Sequence, residues 1–177
     1  MNRKLLNEEL NRISPEEFKK ALKAPLVMVL DNIRSQHNVG SAFRTADAFL
    51  AEKIFLCGFT ATPPNNEIHK TALGAENTVE WQYFHETTEA IKHLKEHGYQ
   101  IVSVEQAENA VMLNDFTVSN NMKYAFVFGN EVKGVDQEVV NMSDVCVEIP
   151  QSGTKHSFNM SVSVGIVLWD IYLKLKG

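Results

Sequence analysis

Three stretches of this 177-residue chain place polar, hydrogen-bonding residues directly after apolar runs. Tyr124–Phe128 is an uncharged run with aromatic and β-branched members, and it empties into Gly129, Asn130, Glu131, Val132, Lys133 and Gly134. Leu26–Leu30 is followed by Asn32, Arg34, Asn38, Gly40 and Arg44, and the run ending at Ile149 is followed by Ser157, Phe158, Asn159 and Ser161. Strands that end in glycine-bearing polar loops are how α/β proteins build ligand sites, so the three loops are expected to converge on one site. Gly129 would let the backbone approach a ligand, with Asn130 and Glu131 placed to meet it. The glycine spacing of 129–134 is not that of a phosphate loop, because Val135 and Asp136 stand where that chemistry needs Lys and Ser or Thr. Taken by itself, this loop reads as a turn with Glu131 and Lys133 in water.

The elements that must position these loops follow from periodicity. Leu5, Leu6, Leu10 and Ile13 repeat at helical spacing, and Ser14-Pro15-Glu16-Glu17 reads as the cap and first turn of a second helix running to about Lys23. Phe18, Ala21 and Leu22 would point inward from it. After the Leu26–Leu30 strand, Asn38 is placed to cap a helix whose inner face is Val39, Phe43, Ala46 and Leu50, leaving Arg44 off that face and near Ser41. Ile54–Cys57 is a second strand, 67–77 a short helix with a surface loop, and Val79, Trp81 and Tyr83 alternate as an edge strand. Glu86–His97 is an amphipathic helix stopped by Gly98, and Tyr99–Val104 a further strand. A short helix near Asp136–Asn141 and the strand Val145–Ile149 complete an α/β pattern with a mostly parallel sheet flanked by helices. The last segment is ambiguous. Met160, Val162, Val164 and Ile166 alternate with small residues as a strand would, whereas Val167–Leu173 reads as a helix.

At this length a single domain, 1–177 with residues 1–24 as a helical extension, is expected. A hydrophobic content of 44% and a charged content of 22% are those of a water-soluble globular protein. No apolar run reaches the length of a membrane span, and the first residues carry scattered charge, not a secretion signal. Cys57 and Cys146 lie in apolar runs and read as small core residues, and cytoplasm is the expected compartment. The six histidines show no metal-ligand spacing with them, so no metal is expected. The formal charge of −5 counts against nucleic-acid binding unless a local basic patch exists.

Three segments resemble the signature motifs of the SpoU/TrmH family of RNA ribose methyltransferases, members of the SPOUT class. The first is NVGSAFRTADAF, carrying Asn38, Gly40 and Arg44; the second is VFGNEVKGV, carrying Gly129, Asn130, Glu131 and Gly134. The third is IPQSGTKHSFNMSVSVG, carrying Ile149, Pro150, Gly153, Ser157, Asn159 and Ser161. Three motifs in order, from about Leu26 to Leu175, make the resemblance specific. It implies a C-terminal deep trefoil knot, which pattern reading alone would never propose. It also implies S-adenosyl-L-methionine bound near Val104, Phe128, Gly129, Ile149 and Ser157, and a homodimer with its two sites near the interface. The product would be a 2′-O-methylated ribose in tRNA or rRNA. The resemblance further makes the whole segment after Asn159 one helix, with Ser157, Ser161 and Gly165 as a strip of small residues.

The resemblance implies catalytic roles for Arg44, Asn38, Glu131, Ser157 and Asn159. Guanidinium stays protonated in proteins, so Arg44 fits a cation beside a developing alkoxide better than a literal base, with an adjacent phosphate oxygen taking the proton. Asn38 would cap its helix and orient Arg44 or a phosphate. Glu131 would hold Arg44 or Asn38, while Ser157 and Asn159 contact cofactor or ribose or cap the last helix. His37, Lys155 and His156 are placed to meet phosphate. Two other readings stand beside this one: a base methyltransferase of the same knotted class, and a catalytically silent RNA- or nucleotide-binding module.

Overall fold

The computed structural model describes residues 2–177. Seven strands form one sheet: β1 (Ala24–Asp31), β2 (Ala51–Cys57), β3 (Trp81–Phe84), β4 (Tyr99–Val104), β5 (Val111–Met112), β6 (Lys123–Phe128) and β7 (Val145–Glu148). Their order is β3-β2-β1-β6-β4-β7-β5, and every pairing is parallel. The chain therefore runs outward from β1 to the edge strand β3, crosses back to β4, and later inserts β6 between β1 and β4. That reversal puts the carboxyl ends of β1, β6, β4 and β7 side by side, where open parallel sheets bind ligands.

Six helices cover the sheet: α1 (Pro15–Lys20), α2 (Gln36–Ala48), α3 (Asn66–Ala72), α4 (Thr87–Glu96), α5 (Gln137–Met142) and α6 (Met160–Lys176). Strand alternation divides the core into two layers. Leu26, Met28 and Leu30 of β1 and Tyr124, Phe126 and Phe128 of β6 pack with α2, α3 and α6, around Phe43, Ile68, Val164 and Leu168. Val27, Val29, Ala125 and Val127 face the other way, against Ala90, Ile91 and Leu94 of α4 and Val139 of α5. Both central strands are buried on both faces, which is why they read as unbroken apolar runs. Cys57 belongs to the second layer; burial, helped by the neighbouring Asp31 charge, pushes its thiol up to about 12, so it stays a neutral core group.

Several local expectations change. The stretch 2–13 is not a helix: one 3-10 turn spans Asn7–Leu10, Asn11 adopts a left-handed φ of 49°, and Leu5, Leu6, Leu10 and Ile13 are all exposed. Helical spacing in so short a segment is insufficient unless its apolar stripe packs on something. α1 ends at Lys20, with Phe18 inward but Leu22 94% exposed. The last segment is a single helix, as the resemblance implied. Its buried residues Met160, Val164, Val167, Leu168 and Ile171 follow helical spacing, and the alternation seen over the first seven residues is overridden by that longer stripe. Asn38 is not a cap, because Ser35 caps α2 by accepting the Asn38 N–H at 3.2 Å.

Gly40 has a specific task in this packing. A Cβ there would lie 2.1 Å from Thr71 Oγ1 and 2.2 Å from the Ile68 carbonyl oxygen, so α2 and α3 meet at this residue. Alanine would improve intrinsic helix stability by about 1 kcal/mol. Overpacking costs about 1–3 kcal/mol, and the obstructing carbonyl is main chain that cannot rotate away. Gly40→Ala is therefore expected to destabilise the protein by up to about 2 kcal/mol net, read as a lower midpoint of urea unfolding with unchanged slope.

Candidate active site

The loops after β1, β6 and β7 converge. Glu131 is the hub: its carboxylate accepts the Arg34 N–H at 2.9 Å, the Ser35 N–H at 3.0 Å and the Asn38 side-chain amide at 2.9 Å. Asn38 in turn accepts a hydrogen bond at 3.3 Å from the Asn159 side chain, whose oxygen caps α6 through the Ser161 N–H at 2.9 Å. One polar chain thus links all three loops, with Asn38 buried at its centre. Of the two partners expected for Glu131, the structure selects Asn38. Burial of the Glu131 carboxyl works to raise its pKa but is outweighed by the hydrogen bonds from Arg34, Asn38 and Ser35, which hold it below the usual glutamate value.

The 129–134 loop is built for itself before it is built for a ligand. Asn130 and Gly134 exchange main-chain hydrogen bonds of 2.9 and 2.8 Å. The Asn130 side chain accepts the Val132 and Lys133 N–H groups and donates to the Asn32 carbonyl at 2.7 Å. It is therefore engaged within the protein and not aimed at a ligand. A Cβ on Gly129 would lie 2.1 Å from Gly134 C and Val135 N, so that glycine admits the returning chain of its own loop.

Beside this loop lies a cavity of about 310 Å³ lined by residues from the ends of β4, β6 and β7 and by the loop before α6. Val104, Phe128, Gly129, Ile149 and Ser157, all expected to hold the cofactor, line it together. Its walls combine apolar side chains, such as Phe128, Ile149 and Met160, with the polar groups of Glu105, Gln106 and Ser157. That donor set fits a nucleoside-like group, with an apolar slot for a base and polar atoms for a sugar. Gln106 and Gln151 both donate to the His156 carbonyl, at 2.8 and 3.0 Å, tethering the third loop over the cavity.

Arg44 is elsewhere. It lies six residues beyond Asn38 on α2, about 9 Å along the axis and on another face. There it lines a second cavity with Ser41, Thr45, Phe49, Lys70, Thr71, Gly165 and Trp169, whose lining holds no acidic side chain. Within one chain, Glu131, Asn38, Ser157 and Asn159 come together and Arg44 does not join them. Elsewhere on the surface, Lys70 pairs with Glu67 at 2.6 Å and Arg3 with Glu9 at 2.8 Å, while His37, expected to meet phosphate, also meets Glu67, at 2.9 Å.

Sequence reading passed over three residues. Asp31, 1% exposed, accepts the Thr87 hydroxyl at 2.5 Å, the Asn32 side chain at 2.9 Å and the Asp136 N–H at 2.9 Å. Glu105 accepts the Val135 N–H at 2.9 Å and the Gln106 N–H at 2.8 Å, and Gln106 tethers the third loop. Acidic residues closing apolar strands were the available signal for the first two.

Residues 25–169 match the model of the SpoU rRNA Methylase family. The chain belongs to that family. Among its relatives, a Borreliella burgdorferi protein named as an uncharacterized tRNA/rRNA methyltransferase is 31% identical over 164 residues, covering 91% of this chain and 69% of the relative. The 23S rRNA (guanosine-2'-O-)-methyltransferase RlmB of Nitrosomonas europaea is 32% identical over 158 residues, covering 89% of this chain and 60% of the relative. The AdoMet-bound rRNA methyltransferase of Sinorhizobium meliloti superposes with a TM-score of 0.81 at 26% identity, over 93% of this chain and 62% of that one. This SpoU-family chain thus spans roughly two thirds of the length of these proteins. Among the described residues, no helix is long and apolar enough to cross a membrane.

The Glu131 hub predicts a pH dependence. Because its native pKa is depressed, its contribution to stability is complete above the unfolded-state value of about 4.3 and is lost as pH falls through the lower native value. Glu131→Gln is expected to melt below wild type at pH 7, with the difference shrinking toward pH 3, as followed by thermal melting across that range.

Proposed function

We propose that this SpoU-family chain transfers a methyl group from S-adenosylmethionine to a ribose 2′-hydroxyl in tRNA or rRNA, and that it does so as a homodimer. The observation that carries this reading is the Glu131–Asn38–Asn159 chain joining all three motif loops beside a cavity lined by every expected cofactor residue. S-adenosylmethionine supplies a methyl group already activated by its sulfonium. The protein's own task is to bind, to align and to raise the nucleophilicity of one hydroxyl.

Val104, Phe128, Gly129, Ile149 and Ser157 form the cofactor site in this reading. Glu131, Asn38 and Asn159 hold the loops in register around it. Arg44 stabilises the alkoxide that develops on the ribose oxygen, and the hydroxyl proton leaves to a nearby phosphate oxygen or to water. A cation whose cavity lacks acidic side chains is suited to an anionic substrate, even in a chain of net charge −5.

The separation of Arg44 from the cofactor cavity supports pairing of two copies. The α2 and α6 surface around Arg44 carries Val162, Trp169 and Leu173, each about half exposed, and Gly165 has open space where a side chain would stand. A second copy seated on this surface would bring its own Arg44 toward the cavity of the first. The knot belongs to the same reading: the Gln106 tether on His156 lies where a C-terminal segment threaded beside the β4 end would pass. An RNA substrate makes cytoplasm the implied compartment.

Two outcomes are expected. Arg44→Ala and Arg44→Lys should each lower transfer of tritiated methyl to RNA by about a hundredfold or more, with calorimetric affinity for S-adenosylmethionine unchanged. Methylation at the wild-type rate, or nuclease mapping that puts the methyl on a base, would overturn the reading. Trp169→Glu should shift the light-scattering mass from dimer to monomer and lower activity with it.

A further inference from the structure

Three carboxylates line the cofactor cavity, and they differ in what their oxygens already accept. Glu131 receives three donors and has little capacity left. Glu148 has no side-chain hydrogen bond among the described residues to hold it in place. Glu105 is different: one oxygen accepts the Gln106 N–H at 2.8 Å and the other the Val135 N–H at 2.9 Å. A carboxylate offers about four acceptor sites, so each Glu105 oxygen keeps room for one further donor. The group is also rigidly placed, since a Cβ on Gly134 would lie 2.2 Å from Glu105 Oε2.

Glu105 directly follows β4, between the apolar wall of Val104, Phe128 and Ile149 and the tethered loop at His156. An acidic residue at the carboxyl end of a parallel strand, beside a nucleoside slot, is suited to accepting sugar hydroxyls. We infer that Glu105 binds the vicinal 2′- and 3′-hydroxyls of the cofactor's ribose, one on each carboxylate oxygen, an assignment that rests on the S-adenosylmethionine reading above. The two amides that hold the carboxylate fix its plane before the ligand arrives, so the two oxygens face the diol as a preorganised pair. A sulfonium would be attracted by the same charge but would use neither free acceptor position.

Titration calorimetry of the full chain with three probes tests this: S-adenosylmethionine, S-adenosylhomocysteine and 2′,3′-dideoxy-S-adenosylhomocysteine. Glu105→Gln keeps a carbonyl oxygen for the Val135 N–H but loses an acceptor and the charge. It is expected to weaken both hydroxyl-bearing probes by a similar factor, roughly ten- to hundredfold, and to bind the dideoxy probe as wild type does. Wild type alone should discriminate against the dideoxy probe by a comparable factor, a measurement independent of how well the variant folds. A loss confined to S-adenosylmethionine would make Glu105 a counter-charge to the sulfonium and overturn the inference. Equal losses on all three probes, or no loss, would overturn it as well. If wild type binds none of the probes, the methyltransferase reading itself fails, which is distinct from binding that ignores the ribose hydroxyls.

Discussion

Loops that leave a parallel sheet carry main-chain N–H groups with no strand to pair them, and this fold depends on three carboxylates to receive them. Asp31 at the end of β1 takes Asp136, Glu105 at the end of β4 takes Val135, and Glu131 takes Arg34 and Ser35. Each acceptor belongs to a different strand end from its donors, so the hydrogen bonds stitch neighbouring loops to one another. Their energetic weights differ. A buried donor left without a partner costs about 1–3 kcal/mol, and Asp31 is fully enclosed, so water cannot substitute for it. Glu131 is exposed on one side and only partly desolvated, and its value is chiefly geometric: it fixes the start of α2 against the loop after β6.

The same economy of space governs the glycines. Gly40 and Gly129 both sit where another piece of the chain's own backbone passes within bonding-like range of an absent Cβ. Close approach is indeed their purpose, but the approaching group is protein. Gly165 is the reverse case, a small residue with open space before it on a surface that also bears Trp169. Packed interior and unfilled exterior therefore use the same residue type for opposite reasons.

The site has two parts with different chemistry. The cavity between the ends of β4, β6 and β7 mixes apolar walls with polar side chains, Glu105, Glu131 and Glu148 among them, whereas the lining of the cavity on α2 and α6 holds Arg44 and no acidic side chain. Binding an activated donor and stabilising negative charge on an acceptor are separate tasks, and under the proposed function they fall to separate cavities, one at the strand ends and one between α2 and α6. Net charge is a poor guide in such a case, because −5 over the whole surface says nothing of the field at one concave patch.

Much of this was legible in the chain itself. Strands buried on both faces announce themselves as unbroken apolar runs, so β1 and β6 could be read almost to the residue, β4 and the half-buried β7 nearly as well, and with them the polar loops that follow. Local sequence failed where stability is borrowed from distant contacts. Leu5, Leu6, Leu10 and Ile13 have helical spacing but nothing in the chain to pack on, and Met160–Ile166 alternates like a strand yet is held as helix by the stripe that continues to Ile171. Spacing also could not say which donors Glu131 would receive, nor that Asn38 would lie inside α2 and not at its cap. Those choices depend on strand order: inserting β6 between β1 and β4 brings residues about a hundred positions apart within hydrogen-bond reach, and no period along the chain encodes that distance. The sequence determined which loops are polar and which strands are buried; the tertiary structure alone decided which of their atoms meet, and that Arg44 stands apart from them.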